Sequence, residues 1–170
     1  MSTFKTKLNP IIPIGRSLFS LVLILFLVLS FGFMADTYQK EGFESAIGSS
    51  LLILFFGMLF YMFFSALFRN TKSYIIQDEC IIVNDYFGFK SGKIDKSDVM
   101  GFSTSHVHYN FSREPQIIIY IKDGTKFQLT RFEYFNFKEI KPALRKRHYR
   151  YFGFEPYVWK WFNSRSFQFD

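Results

Sequence analysis

Ser17-Leu-Phe-Ser-Leu-Val-Leu-Ile-Leu-Phe-Leu-Val-Leu-Ser-Phe-Gly-Phe-Met-Ala35 and Ser45-Ala-Ile-Gly-Ser-Ser-Leu-Leu-Ile-Leu-Phe-Phe-Gly-Met-Leu-Phe-Tyr-Met-Phe-Phe-Ser-Ala-Leu-Phe68 contain no charged residue. Each reaches the length of about 18–20 apolar residues that lets a helix cross a bilayer. Lipid offers the backbone no hydrogen-bond partner, so a lone crossing segment must be helical. The pair therefore predicts an antiparallel transmembrane hairpin, with spans at about 17–35 and 45–68 and a short loop from Asp36 to Glu44. A cleavable signal peptide fits the first run less well. The run is longer than a usual signal core, and Phe-Gly-Phe-Met-Ala-Asp at its end lacks a small-x-small cleavage site.

Charge around the runs predicts an orientation. Lys5, Lys7 and Arg16 precede the first, and Arg69 and Lys72 follow the second, whereas the intervening loop carries Asp36, Lys40, Glu41 and Glu44. Positive flanks stay cytoplasmic, so both termini are expected inside and the loop outside. The expected location is a membrane crossed twice, which, on the family resemblance carried by Tyr74–Val83, Ile117–Leu129 and the helix from Asn136 described below, would be the bacterial inner (cytoplasmic) membrane. Residues 1–16 read as a cytoplasmic lead-in, whose Pro10-Ile-Ile-Pro13-Ile-Gly15 stretch skims the interface. Small residues let helices approach closely, which makes Gly48 and Gly57 the candidate packing positions of the second span. No strict small-xxx-small repeat runs its length, which favours packing within the hairpin over packing on a partner subunit.

The chain has 170 residues, 49% hydrophobic and 22% aromatic, with 25 Phe and a net charge of +7. About 100 residues follow the second run, enough for one small domain. The lone Cys80, beside Ile81-Ile82-Val83, reads as a core residue and allows no intrachain disulfide.

From Ser73 the pattern turns to strands. Tyr74-Ile75-Ile76 and Cys80-Ile81-Ile82-Val83-Asn84 flank Asp78-Glu79 as a hairpin would. Tyr86-Phe87-Gly88-Phe89 leads to a turn at Ser91-Gly92, and Lys93–Val99 reads as a short strand or connection. Gly101–Tyr109 is a further strand, and Asn110–Pro115 a turn. Gln116–Ile121 and Lys126–Thr130 bracket Lys122-Asp123-Gly124-Thr125, and Asp-Gly favours a tight hairpin turn. A helix follows Asn136, its candidate cap, with Phe137, Ile140 and Leu144 on one face and Tyr151 extending it. Pro142 suits the first turn of such a helix and not its interior. Residues 151–170 read as an aromatic, irregular tail, disordered from 163.

Short antiparallel strands closed by one helix resemble the bacterial pleckstrin-homology-like (PH-like) domain that follows a two-helix membrane hairpin. The residues that carry this likeness are Tyr74–Val83, Ile117–Leu129 and the helix from Asn136. The resemblance implies a β-rich PH-like barrel or sheet over 73–150, closed by a C-terminal helix, and no defined biochemical role.

Lys138, Lys141, Arg145, Lys146, Arg147 and Arg150 face a single acid, Glu139, on that helix. Such a cluster suits an anionic membrane surface or an acidic partner, at on the order of 1 kcal/mol per cation. Trp159 and Trp161, with Tyr157, Lys160 and Phe162, suit the headgroup interface. His106 and His108 share one strand face, but neither a third His nor a Cys lies near, so no metal site is assigned. No nucleophile elbow, phosphate loop, zinc-protease helix or paired acidic residues in an apolar setting is present, so neither an enzyme nor a cofactor is expected. The aromatics fall at core spacing, against nucleic-acid binding. The expected function is a non-catalytic membrane-anchored interaction module that binds anionic lipid or a protein partner, the latter by strand addition at an open edge. The alternative is an accessory subunit of a membrane transport or secretion complex, assembled through its spans.

Overall fold

The computed structural model describes residues 3–85, 91–109, 112–160 and 164–169. The chain divides into two compact units, one made of residues 10–71 and the other of residues 1–9 together with 72–170.

The first unit is a pair of helices, α1 (Ile11–Glu41) and α2 (Phe43–Asn70). The expected nine-residue loop is absent: both helices run through it and break only at Gly42, whose φ of 88° is open to glycine at little cost. Phe19 lies 4.5 Å from Phe63 and Phe26 lies 5.1 Å from Phe56, ring centre to ring centre, so the helices are antiparallel neighbours. Along α1 the less exposed positions are Pro13, Arg16, Ser20, Leu23, Leu27, Ser30, Met34 and Thr37, joined in the first turns by Ile12 and Ser17. Alternating three- and four-residue steps define a seven-residue repeat, the seam of left-handed helix packing. The hydroxyls on and beside this seam bond to their own helix. Ser20 Oγ donates to Arg16 O (2.8 Å), Ser30 Oγ to Phe26 O (2.7 Å) and Thr37 Oγ1 to Phe33 O (2.9 Å). By length and composition α1 is able to cross a membrane, whereas the continuous apolar stretch described in α2 is Ser50–Ser65.

The second unit holds two open four-stranded sheets and a helix. The first sheet has the order β1-β2-β3-β4, from β1 (Phe4–Lys5), β2 (Lys72–Ile76), β3 (Cys80–Asp85) and β4 (Ser91–Asp95). The second has the order β7-β6-β5-β8, from β5 (Val99–Tyr109), β6 (Ser112–Ile121), β7 (Lys126–Thr130) and β8 (Tyr151–Phe154). No strand pairing joins the two sheets among the described residues, so the expected PH-like barrel is not closed. Apolar side chains fill the space between instead: Tyr74, Ile76 and Ile81 of the first sheet meet Phe102, Ile117, Ile119 and Leu129 of the second. Helix α3 (Phe137–Lys146) adds Ile140 and Leu144 to this core.

The β2–β3 hairpin and the β6–β7 hairpin at Asp123-Gly124 form as expected. Cys80 is buried, with its thiol donating to Gln77 Oε1 (3.0 Å). Five readings change. The expected turn at Ser91-Gly92 is the start of β4, opposite Asn84 and Val83. The expected turn at Asn110–Pro115 is strand from Ser112 onward. Pro115 is tolerated there because β7 pairs with β6 only up to Gln116, so the ladder has ended where its missing N–H falls. Pro142 sits inside α3 rather than in its first turn, on the exposed side of the helix. Asn136 stands at the cap position but does not cap: its Oδ1 accepts from Lys7 N (2.7 Å) and its Nδ2 donates to Lys5 O (3.0 Å). The lead-in is therefore part of the sheet unit. The Tyr86–Phe89 stretch, and Asn110 and Phe111, lie outside the described residues.

The tail after α3 is ordered by pairing. β8 runs parallel to β5, with Phe102 opposite Tyr151 and Thr104 opposite Phe154. The backbone approaches closely here: a Cβ on Gly101 would lie 2.6 Å from Arg150 O, so only glycine fits. Beyond it, β9 (Val158–Lys160) pairs antiparallel with β10 (Ser164–Ser166).

α3 ends with a left-handed residue at His148 (φ 57°), where Tyr149 N donates to Leu144 O (3.1 Å) and His148 N to Arg145 O (2.9 Å). This crossed pair of bonds is a helix stop normally built on glycine. His148→Gly should relieve the strain and stabilise the protein by about 0.5–1 kcal/mol, read as a higher urea midpoint.

Four buried tyrosines predict the alkaline limit of the fold. Burial, first of all, raises the hydroxyl pKa of Tyr74, Tyr134 and Tyr120, and pushes that of Tyr149 up to about 12. The folded state thus favours the neutral phenol. Its contribution is complete below pH about 10, the ordinary tyrosine value, and is lost as pH rises through the folded values. The unfolding midpoint should be flat up to pH ~9.5 and fall beyond ~10. Absorbance at about 295 nm should show these phenols ionising only with unfolding; Tyr149→Phe should flatten the decline between about 10 and 12.

Candidate functional site

The six cations expected to form one basic face are distributed by the fold. Arg147 is buried: its Nη1 donates to Ala143 O (2.9 Å), its Nε lies 4.0 Å from Asp78 Oδ1, and its carbonyl accepts from Lys96 Nζ (2.7 Å). It locks the end of α3 and is removed from any surface cluster. Lys141 and Arg145 each lie 4.5 Å from the Tyr151 ring centre, and Arg150 lies 5.3 Å from that of Phe152. Lys138, Arg145, Lys146 and Arg150 are exposed and Lys141 is half-buried, so Arg147 is the one of the six that the fold withdraws from the surface. The Tyr151 hydroxyl registers the resulting field. Desolvation acts to raise its pKa, but hydrogen bonds from Thr104 and Lys141 and the charges of Lys141 and Arg145 outweigh it, and the net shift is downward.

His106 and His108 do share a strand face, each against an aromatic ring: Phe154 at 5.4 Å and Tyr157 at 5.4 Å. Among the described residues no group of three His, Cys, Asp or Glu side chains converges. Trp161 and the Trp159 side chain lie outside the described residues. Gly48 and Gly57 do not form one packing face. Gly57 sits against Leu27, 4.0 Å from where a Cβ would be, whereas nothing lies within 4 Å of that position at Gly48. Nine residues are two and a half helical turns, so the two glycines point to opposite sides.

The largest departure from expectation is a buried polar centre on the tail-side face of the second sheet. Alternation along β5 and β6 puts Ser103, Ser105, Gln116, Ile118 and Tyr120 on that face. Glu155, 1% exposed, accepts there from four donors. Ser103 Oγ (2.7 Å) and the Tyr120 hydroxyl bond to its Oε2, while Arg165 Nη2 (3.1 Å) and Gln168 N (3.1 Å) bond to its Oε1. Arg165 also reaches Gln116 Oε1 (3.0 Å) and Ser105 Oγ (3.1 Å). Its guanidinium stacks near Tyr157 (5.2 Å) and Phe167 (5.0 Å). Phe167 and Phe169 close over Tyr120. Residues 164–169, expected to be disordered, are thus fastened to the sheet. The alternating Ser103 and Ser105 of β5 were the available sign of a polar face; nothing local pairs Glu155 with Arg165.

The opposite face of the same sheet carries an open cleft of about 400 Å³. Thr104, His106, Pro115 and Ile117 line it from β5 and β6, Phe137, Lys138 and Lys141 from α3, and Arg131 and Phe154 from the flanking segments. Its lining contains three permanent cations and no carboxylate. Arg131 was not singled out from sequence because it stands apart from the basic run; the fold brings it to Lys138 and Lys141.

Breaking the Glu155–Arg165 pair should be costly, because the remaining charge stays buried. Glu155→Ala should lose about 3–5 kcal/mol and expose the chain after Phe154 to limited proteolysis. Glu155→Gln with Arg165→Met, which removes both charges, should recover much of the loss. Neither a protein-family model, nor a curated protein, nor a solved structure matches this chain, so the geometry itself is what points to a function.

Proposed function

We propose that this protein is a non-catalytic, membrane-anchored binding module of the bacterial inner membrane, with a helix pair that crosses the bilayer twice and a sheet unit on the cytoplasmic side. One observation carries this reading: the segment before the helices and the segment after them belong to one sheet. Phe4 and Lys5 pair with Ile76 and Ile75. Asn9 N donates to Glu133 O (2.8 Å), and Lys72 O accepts from the hydroxyl of the next residue, Tyr134 (2.6 Å). Both ends of the helical segment therefore start from one place, and any crossing made by α1 must be reversed by α2.

The outward faces of the pair support a lipid environment. Leu21, Leu54 and Met58 are each more than 60% exposed, and the apolar surface runs round both helices. Water would penalise such a surface at roughly 25 cal/mol per Å². Basic residues flank both ends, Arg16 on α1 and Arg69 on α2, whereas Asp36, Glu41 and Glu44 cluster at the Gly42 turn, which supports a turn outside and a sheet unit inside. The basic cleft is the surface on which such a unit would hold an anionic lipid or partner.

Thiol labelling in intact cells tests this reading. Cys80 is buried and is an unsuitable inside marker, so both probes belong in a Cys80→Ala background. Gln39→Cys should react with an impermeant maleimide, and Asp123→Cys, in the exposed β6–β7 turn, should react only after lysis. Equal labelling of both before lysis would refute the two-crossing topology.

A further inference from the structure

We propose that the cleft between α3 and the second sheet binds a small phosphate monoester. The inference deepens the binding-module reading above and rests on it only for where the ligand comes from.

The cleft combines a cationic rim with an apolar floor. Arg131, Lys138 and Lys141 supply three permanent positive charges, and His106 adds ring N–H and lone-pair groups. Ile117, Pro115, Phe137 and Phe154 supply the floor. Arg131 and Lys138 form no ion pair among the described residues, and Glu139, the acid of α3, is exposed and outside the lining. Lys141 donates to the Tyr151 hydroxyl (3.2 Å), which holds its ammonium at the cleft wall. Cations that converge without a carboxylate repel one another, and an anion relieves that cost.

Size and pairing select among anions. A cleft of about 400 Å³ suits a small molecule or a single headgroup. An extended acidic peptide would meet floor strands already paired at the middle of the cleft, Thr104 with Phe154 of β8 and Gln116 with Thr130 of β7. A phosphate monoester brings close to two negative charges and three acceptor oxygens near neutral pH, against one charge for a carboxylate, and so matches several cations at once. The floor then packs against the C–H face of the ester's glycerol or sugar body. The same chemistry is presented by a soluble sugar or glycerol phosphate and by the headgroup of phosphatidic acid.

The test uses the full-length protein in dodecyl maltoside, titrated calorimetrically with glycerol 3-phosphate, and in nanodiscs of phosphatidylcholine with or without 10 mol% phosphatidic acid. We expect saturable 1:1 binding in at least one arm. Arg131→Gln with Lys138→Gln should weaken it at least tenfold, and Lys146→Gln, an exposed cation outside the cleft, should change it less than twofold. Binding only to phosphatidic acid would assign the source to the membrane, and binding of glycerol 3-phosphate to a soluble pool. No saturation in either arm, equal loss on Lys146→Gln, or stronger competition by a poly-glutamate peptide than by the phosphate would overturn the proposal. Circular dichroism of each variant checks the fold, and the thiol-labelling topology stands or falls independently of every outcome here.

Discussion

The second unit depends on the threading of residues 4–9 between two segments far away in the chain. On one side β1 pairs with β2, and Thr6 and Tyr74 exchange bonds: Thr6 N to Tyr74 O (2.9 Å) and Tyr74 N to Thr6 Oγ1 (2.8 Å). On the other, Leu8 bridges Tyr134, Phe135 N donates to Lys7 O (2.9 Å) and Asn136 clasps Lys5 and Lys7. Backbone groups in the interior of a domain must find partners, and this short segment supplies them to the first sheet and to the lead into α3 together. It also spends the side chain that would have capped α3.

The second sheet uses its two faces differently. The face toward the first sheet is an apolar core at one end and, beyond Phe102 and Ile119, opens into the cationic cleft at Thr104 and His106. The other face is polar at its centre, where a carboxylate with four donors and an arginine between two rings hold the tail. A buried ion pair seldom raises stability over an apolar equivalent, but it does penalise every arrangement in which its partners are mismatched. Here it selects one path for an aromatic tail that has many apolar ways to settle.

Strand and helix positions in 73–146 were legible because alternation, the Asp123-Gly124 turn and the Ile140–Leu144 spacing are local signals. The helix pair was legible from uniform hydrophobicity. Its seam was not, because a helix that is apolar all round hides which side packs; Ser20 and Ser30, ten residues apart, were the faint mark. The tail was misread because its order comes from a parallel pairing with β5 and from a Glu155–Arg165 contact, neither of which leaves a period in the sequence. Two-residue β1 was invisible for the same reason: its partner lies some 70 positions away. The basic run was legible as composition but not as a surface, since burial of Arg147 and recruitment of Arg131 are decided by tertiary structure.

The threading of residues 4–9 also sets an order of events during synthesis. These residues leave the ribosome ahead of their partners Ile75 and Asn136, which emerge roughly 70 and 130 residues later. At about 5–20 residues per second the wait for Asn136 is on the order of ten seconds. Both helices are complete long before then. A segment made before the helices is thus among the last to be fixed, and a chain released before Tyr134 and Asn136 would carry a finished helix pair with that strand held on one side only.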